Sequence, residues 1–292
     1  MPFTLDHLTL AGRSLAAMSE PFAALGLAPD YGGPHENGVT HMSMLGFDDG
    51  TYLEFIAPRE PDAVSPIWHA FSSRDAGPAA WCVASKDAAR EADRLRALDI
   101  PVQGPAARGR RRPDGVALEW HLAFVGEGSP GAFHPFLIED VTPRGERVGV
   151  TPSTGAAGLT GIEAVILCVA DLEEATQALR RAYRLPPAVP VFLPGLDATV
   201  VGFAGEPLLL AEPLDAASPL GERLAMVGAA PCGLVIGSRD LDLTAASLKL
   251  TGTDAGQDSL LALPFSVGPG AFAAIVPSGR FRGEQRQPAF PE

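Results

Sequence analysis

The sequence predicts an α+β protein in which four βαβββ units pair into two curved mixed-sheet domains, with the helices on the outside. Two observations predict this fold. The order of one strand, one helix and further strands recurs four times along the chain. When the four copies are aligned, Ser14, Asp87, Asp171 and Asp240 occupy the same place, where a helix N-cap is expected. The helix covers one face of each unit, so two units side by side can form a cup with the other face.

The first unit is the clearest. "FTLDHLTL" is typical of a strand, and Ser14 can cap a helix in which Pro21 predicts a late start or a kink. The Gly/Pro/Asn-rich segment "DYGGPHENG" predicts a loop. The strands "VTHMSMLGF" and "TYLEFIAP" follow, separated by the hairpin signal "DDG".

The remaining units repeat this order less distinctly. The second runs from "PAAWCVAS" through a helix begun by Asp87 to "VALEWHLAFVG" and "FHPFLIEDVTP". The third begins at "IEAVILCVA", and the fourth comprises "CGLVIGSRDLDLTAASLKLTG", "LLALPFSVG" and "AFAAIVPSG". A stretch rich in Gly, Pro, Ser and Thr separates the pairs. We therefore predict an N-terminal domain at 1–145, a linker at 146–160 and a second, degenerate domain at 161–292.

Composition restricts the functional classes. The 292 residues carry a net charge of −13, which disfavours nucleic-acid binding. There is no apolar run long enough to cross a bilayer and no evident signal peptide, so we expect a cytoplasmic protein without a membrane partner. The three cysteines are far apart and are expected to be reduced.

Ionisable residues point to the N-terminal half as the site of chemistry. All six histidines precede residue 135. His7 lies within an apolar strand, and alternation on "TYLEFIAP" places Glu54 on one face with Tyr52 and Ile56. A carboxylate among apolar residues is costly unless it is paired or bound to a metal. His7 and Glu54 are therefore the leading candidates for a shared site.

The segments "LDHLTL", "GTYLEFIAP" and "PFLIEDVTP" resemble the vicinal oxygen chelate superfamily, and in particular its glyoxalase-like domain proteins. In that superfamily, metal ligands come from the first and last strands of each unit. The resemblance implies His7 and Glu54 as metal ligands, and Glu139 as a third if Pro58 is matched to Pro143. At the first strand of the second unit stands Ala80 or Trp81, so a fourth ligand is missing.

The second half offers no equivalent set. Ala164 stands where His7 is expected and Leu209 where Glu54 is expected, so the resemblance implies a second cup without metal. An N/O ligand set in the first cup would suit Zn, Fe, Mn or Ni. If Glu54 or Glu139 is not a ligand, it could instead serve as a general base.

Other polar residues are weaker candidates. His41 lies 13 residues before Glu54, on the adjoining predicted strand, and could be a ligand, an acid/base group or a substrate contact. His121 could contact substrate, and Arg110 and Arg111 in "RGRRRPDG" could attract an anionic substrate, although a solvated hairpin tip explains the run equally well. His35, His69 and His134 are interpreted as loop, helix-surface and strand-end residues.

Two functions from different classes remain open. The first is a divalent-metal-dependent enzyme of the isomerase, lyase or dioxygenase type, acting on a small oxygenated substrate in the N-terminal cup. The second is a metal-free protein of the bleomycin-resistance type that binds or sequesters a small molecule. The C-terminal pair is expected to be structural, or to form a homodimer through sheet edges.

Overall fold

The computed structural model describes residues 3–250 and 260–281. The first half contains eight strands, which are β1 (Leu5–Ala11), β2 (Asp30–Pro34), β3 (Thr40–Gly46), β4 (Tyr52–Pro58), β5 (Gly77–Ala84), β6 (Val102–Arg111), β7 (Ala117–Val125) and β8 (Phe136–Asp140). They form one sheet in the order β2-β3-β4-β1-β5-β8-β7-β6. In each unit the first strand pairs with the last in parallel, and β1 joins β5 antiparallel. The sheet is curved into a half-barrel, as the sequence predicts.

The second half repeats this topology with seven strands among the described residues. They are β9 (Leu159–Cys168), β10 (Ala188–Pro190), β11 (Ala198–Phe203), β12 (Leu208–Pro213), β13 (Ala230–Ser238), β14 (Leu261–Ala262) and β15 (Phe272–Pro277). Their order is β10-β11-β12-β9-β13-β15-β14, with β9 joined antiparallel to β13. The last two residues of the predicted fourth-unit segment 232–252 lie outside the described residues.

Eight helices accompany the sheets in the described part of the chain. They are α1 (Leu15–Ala24), α2 (His69–Ser72), α3 (Ala88–Arg96), α4 (Arg144–Arg147), α5 (Pro152–Ala156), α6 (Leu172–Tyr183), α7 (Pro219–Val227) and α8 (Leu241–Leu248). The four predicted N-caps are confirmed, because the side chains of Ser14, Asp87, Asp171 and Asp240 each accept a backbone N–H three residues on. Helix α1 begins directly after Ser14 and contains Pro21, so the late start is wrong. None of these helices is long and apolar enough to span a membrane.

The two halves share one hydrophobic core. A single cluster of buried apolar side chains includes Leu8 and Leu53 from the first sheet and Leu167 and Leu210 from the second. Arg223 of α7 is 1% exposed, and its guanidinium donates to four backbone carbonyls, those of Ala76, Pro78, Pro231 and Pro269. Both halves contribute acceptors, so this buried cation joins them.

Two segments differ from the sequence-based expectation. Part of the predicted loop, Asp30–Pro34, is a strand that pairs with β3. The predicted linker at 146–160 is also structured, since it contains the end of α4 and all of α5. Thr154 is fully buried there and donates its hydroxyl to Gly46 of β3. Tertiary hydrogen bonds outweigh the turn-forming composition of both segments.

Candidate functional site

The concave face of the first sheet encloses a cavity of about 500 Å³. One wall is polar and holds side chains from β1, β4 and β6 together with His35, which follows β2. The opposite wall is apolar and aromatic, and its residues are Ile67, Trp68, Trp120, Leu122, Phe124, Phe136 and Ile138. Trp68 has a left-handed backbone, with φ of 59°, and its indole N–H donates to the Pro130 carbonyl at 2.6 Å. A bulky residue in that conformation is uncommon.

His7 and Glu54 converge in this cavity. On β4, alternation directs Tyr52, Glu54 and Ile56 into the cup, as predicted. His7 Nε2 lies 3.6 Å from Glu54 Oε2, and the same oxygen accepts the hydroxyl of Thr9 at 2.9 Å. Both side chains are buried, with His7 3% and Glu54 7% exposed. This separation is compatible with a shared cation.

A β-bulge explains how the chain places two consecutive ionisable side chains at one site. Between β1 and β5, Leu5 pairs with Val83 and His7 with Cys82, so Asp6 is an extra residue in β1. Asp6 is fully buried and accepts a hydrogen bond from His7 Nδ1 at 2.6 Å. This bond fixes the His7 ring with its Nε2 toward Glu54.

Asp6 is also the centre of a buried ion-pair network. The guanidinium groups of Arg144 and Arg147, both from α4, bond to its carboxylate. Arg147 also bonds to Asp140 and donates to the Tyr52 hydroxyl at 2.9 Å. The charges of Arg147, Arg144 and His7 outweigh burial and hold the pKa of Asp6 well below its usual range. Arg147 lies in the predicted linker, so the sequence analysis missed it as a site residue.

His35 is a second imidazole at the site, which the sequence analysis interpreted as a loop residue. Its Nε2 lies 3.7 Å from Glu54 Oε1, and its Nδ1 is hydrogen-bonded to the Thr40 hydroxyl at 2.9 Å. His35 forms an isolated antiparallel bridge with Arg110 of β6, which brings the two edges of the half-barrel together. Partners in such a bridge project to the same side, and both line the cup.

The two imidazoles keep Glu54 ionised. Burial alone would raise the pKa of this carboxyl, but the contact with His35, the charges of both histidines and the Thr9 hydrogen bond together lower it to about 2. A carboxylate of such low basicity is a poor proton acceptor at neutral pH but a good ligand for a cation. Glu54 is therefore ionised at neutral pH.

This low pKa predicts a specific pH dependence of stability. A carboxyl whose pKa falls from 4.5 in the unfolded chain to about 2 in the folded protein stabilises the fold above pH 4.5. That contribution, up to about 3 kcal/mol, is lost as the pH falls toward 2. We expect chemical denaturation between pH 6 and 3 to show a steeper loss of stability for the wild type than for Glu54→Gln. Parallel pH profiles would contradict this expectation.

His7, His35 and Glu54 form a candidate donor set for a divalent cation, because both imidazoles contact the same carboxylate. Each imidazole has its Nδ1 engaged, by Asp6 or Thr40, and both Nε2 atoms face the Glu54 carboxylate. Two imidazoles and one carboxylate form an N/O set typical of Fe(II), Mn, Ni or Zn sites. Donor atoms of Asp6, His7 and Cys82 lie within 4.8 Å of one another, which the donor atoms of His7, His35 and Glu54 do not all do. The Asp6 oxygens already bind two guanidinium groups, and burial raises the pKa of the Cys82 thiol, so this second set is less suitable.

Two predicted site residues face away from the cup. On β8, Phe136 and Ile138 line the cavity, which directs Glu139 to the helix side of the sheet. There Glu139 accepts the backbone N–H of Ala88 at the start of α3, at 2.8 Å. His41 alternates with Thr40 and Met42, which line the cup, and its ring packs against Tyr31 on the outer face. The assignments of Glu139 as a ligand and His41 as a ligand or acid are therefore corrected.

The same alternation separates the remaining candidates. Trp120, Leu122 and Phe124 line the cup, so His121 lies on the other face of β7, opposite Glu139 in the register. The arginine run is divided between β6, which ends at Arg111, and the turn at 112–115, so the predicted hairpin tip is confirmed for its second half alone. Arg108 and Arg110 consequently face the cavity, whereas Arg111 is exposed and donates to Gly115 in the turn. Of the substrate-binding predictions, only Arg110 lies in the cup.

The second sheet repeats the strand register of the first, but apolar residues stand at the positions of His7 and Glu54. Glu163 is the extra residue of a matching bulge in β9, and its carboxylate accepts the backbone N–H of Gly279 at 2.9 Å. In this register Ala164 replaces His7, and Leu209, paired with Ile166, replaces Glu54. Ala164, Ile166 and Leu209 all belong to one cluster of buried apolar side chains. The second concavity is thus packed with the protein's own side chains.

The fold and the site together define a member of the vicinal oxygen chelate superfamily. A family model described as a glyoxalase-like domain matches residues 5–183, which is more than half of the chain. The chain belongs to this glyoxalase-like domain family, as the sequence motifs indicate, and the match extends beyond the first half. No curated protein matches the sequence significantly.

Solved structures confirm the fold over nearly the whole chain. A hypothetical protein from Staphylococcus aureus is 13% identical, with a TM-score of 0.61, over 94% of this chain and 99% of that one. A mutant of 4-hydroxymandelate synthase from Streptomyces coelicolor is 15% identical, with a TM-score of 0.62, over 94% and 92%. A xylose isomerase-like TIM barrel/4-hydroxyphenylpyruvate dioxygenase fusion protein is 12% identical, with a TM-score of 0.57, over 94% and 48%. At these identities the similarity establishes the architecture alone.

Proposed function

We propose that the N-terminal cup is the active site of a divalent-metal-dependent enzyme acting on a small oxygenated substrate. The observation that carries this proposal is the placement of both Nε2 atoms, from His7 and His35, within 3.7 Å of one buried carboxylate. The ion would be held by His7, His35 and Glu54. When bound, it would supply Lewis-acid polarisation of a substrate oxygen.

The protein's own residues support such a reaction in three ways. Asp6 and Thr40 hold the two imidazoles in the orientation that leaves Nε2 available. The aromatic wall excludes water and provides a surface for an apolar substrate body. Burial raises the pKa of the Tyr52 phenol, so at neutral pH its hydroxyl remains protonated beside the stacked His7 ring, at a centroid distance of 4.6 Å.

The reaction class within this proposal is an isomerase, lyase or dioxygenase. Two solved structures of the same fold carry the names 4-hydroxymandelate synthase and 4-hydroxyphenylpyruvate dioxygenase, which refer to aromatic, oxygenated molecules. The alternative is a metal-free binding protein. The register of the second unit favours this alternative. Cys82, the partner of His7, pairs with Phe136, and Ile138 therefore occupies the position that Glu54 has in the first unit. That register offers no carboxylate or imidazole as a fourth ligand.

Metal retention tests the proposal. The protein is equilibrated separately with Fe(II), Mn(II), Ni(II) and Zn(II), passed through a desalting column and assayed by mass spectrometry of the metal. We expect about one equivalent of at least one ion in the wild type and a loss of at least tenfold in affinity for His35→Ala. His41→Ala is the matched control, because that ring lies on the adjoining strand outside the cup, and it should retain the ion. Failure of the wild type to retain any ion would support the binding-protein alternative.

A further inference from the structure

Arg110 is a buried cation in the cup that has no acidic partner among the described residues. Its side chain is 6% exposed and lines the cavity. The guanidinium donates to the backbone carbonyls of Gly32 and Arg147, the latter at 3.0 Å, and its Nη2 lies 3.8 Å from the Met44 sulfur. A guanidinium has five N–H donors. These two carbonyls leave donors unused, and the guanidinium lies between the cup and a second pocket lined by Gly32, Met44 and Arg147.

In contrast to Arg110, the buried Arg147 has acidic partners. Arg147 bonds to the carboxylates of both Asp6 and Asp140 and to the Tyr52 hydroxyl. With Arg144 these residues form a balanced set of two acids and two bases. Glu54 and Glu36 are the other acids that line the cup, and neither forms an ion pair with Arg110 within 4.0 Å among the described residues. A divalent ion on Glu54 would leave the cup with an excess of positive charge.

Burying a guanidinium without a counter-ion is costly, because neutral carbonyls replace its hydration only in part. Arg223 is held in this way by four carbonyls, whereas Arg110 has only two, so Arg110 keeps donors for an anionic ligand. A single guanidinium whose remaining donors lie in one plane matches a carboxylate. Arg108, two residues earlier on the same face of β6, is exposed at the cavity and would attract such an anion from solution.

We propose that Arg110 binds the carboxylate of an amphipathic aryl-carboxylate substrate, whose ring packs against Trp68, Phe124 and Phe136. This inference rests on the proposed function in placing the site in the same cup. The bridge between His35 and Arg110 fixes the carboxylate site beside the His7–Glu54–His35 group. The carbon atoms next to the carboxylate therefore lie nearest the ion site, and the ring lies against the aromatic wall. A cavity of about 500 Å³ is adequate for a molecule of this size.

Calorimetric titration tests the substrate class. The probes are phenylacetate, 3-phenylpropanoate and 4-phenylbutanoate, each with its neutral amide, and each pair is titrated into chelator-treated and metal-loaded protein. We expect at least one carboxylate to bind the wild type tenfold or more tightly than its amide. Arg110→Gln, which removes the charge but keeps a polar side chain, should abolish this preference. Arg111→Gln is the matched control and should retain it, because Arg111 lies outside the cup.

The outcomes separate this inference from the proposed function. If the protein retains no ion in the metal-retention assay but still prefers the carboxylates, the Arg110 site is supported and the metal centre is overturned. Metal retention without any carboxylate preference, or without binding of any probe, overturns the Arg110 site alone. A folded Arg110→Gln variant with the wild-type preference also overturns it. Should that variant fail to fold, Arg110→Met, which also removes the charge, replaces it, and the absence of an acid-over-amide preference in the wild type overturns the site independently.

Discussion

Replacing Glu54 with glutamine is expected to abolish divalent metal binding, with a loss of affinity of at least a hundredfold. Glu54 is the one carboxylate that both imidazoles contact, through Oε2 to His7 and Oε1 to His35. Glutamine has nearly the same shape and can still accept the Thr9 hydroxyl, but it removes the negative charge that offsets the cost of placing a cation in a buried cavity. The measurement is a competition titration with a chromophoric chelator at pH 7.

Glu139→Gln is the matched control for this experiment. Glu139 is also a glutamate on a strand of the first sheet, but it faces the helices and accepts the Ala88 N–H. Its replacement should change metal affinity less than twofold, with a small loss of stability from the weakened helix start. If Glu54→Gln retained the ion as well as Glu139→Gln does, the His7–Glu54–His35 centre would be wrong.

Replacing Asp6 with asparagine is expected to be the most destabilising single change at the site. Asp6 is fully buried and joins Arg144, Arg147 and His7. Its loss removes the buried acid that both guanidinium groups share, while the partly exposed Asp140 remains beside them. Breaking a buried ion pair from one side costs about 3–5 kcal/mol. Urea denaturation at pH 7 followed by circular dichroism measures this difference.

The effect of Asp6→Asn should depend on pH in a defined direction. Because the folded protein depresses the pKa of Asp6, the carboxylate stabilises the fold above the pKa of the unfolded chain, near 4. The stability difference from the wild type should therefore be largest near neutrality and shrink as the pH falls through the folded pKa. Metal affinity should also fall by about 10–100-fold, since Asp6 orients His7. Glu163→Gln, at the equivalent bulge of β9, should leave metal affinity unchanged.

Local sequence patterns were sufficient to predict the fold. Side-chain oxygen atoms at Ser14, Asp87, Asp171 and Asp240 mark helix starts by a local hydrogen bond that sequence alone reveals. Strand alternation likewise grouped Tyr52, Glu54 and Ile56 correctly on one face. These features depend on neighbours within a few residues along the chain, and they could therefore be predicted from the sequence.

The rest of the site depends on contacts that are remote in sequence. Alternation shows which residues share a face but not which face is concave, so the choice between Glu139 and Asp140 could not be made. His35 follows a strand in a segment with loop composition, and Arg147 lies in a segment with linker composition. Their roles arise from pairing with β6 and with Asp6, more than 70 residues away in each case. The apolar neighbours of Asp6 were the available signal for a buried, paired carboxylate.

The meeting of β2 and β6 at His35 and Arg110 has a consequence for self-association. These strands are the two ends of the first sheet, and each covers part of the hydrogen-bonding edge that the other would present to a second molecule. Strand-by-strand extension into a dimer is therefore obstructed on the side that holds the cup. The outer strands of the second sheet, β10 and β14, each have one strand neighbour within the described residues. A dimer built by joining sheets would use the half that lacks the ionisable cluster, and both cups would stay open to solvent.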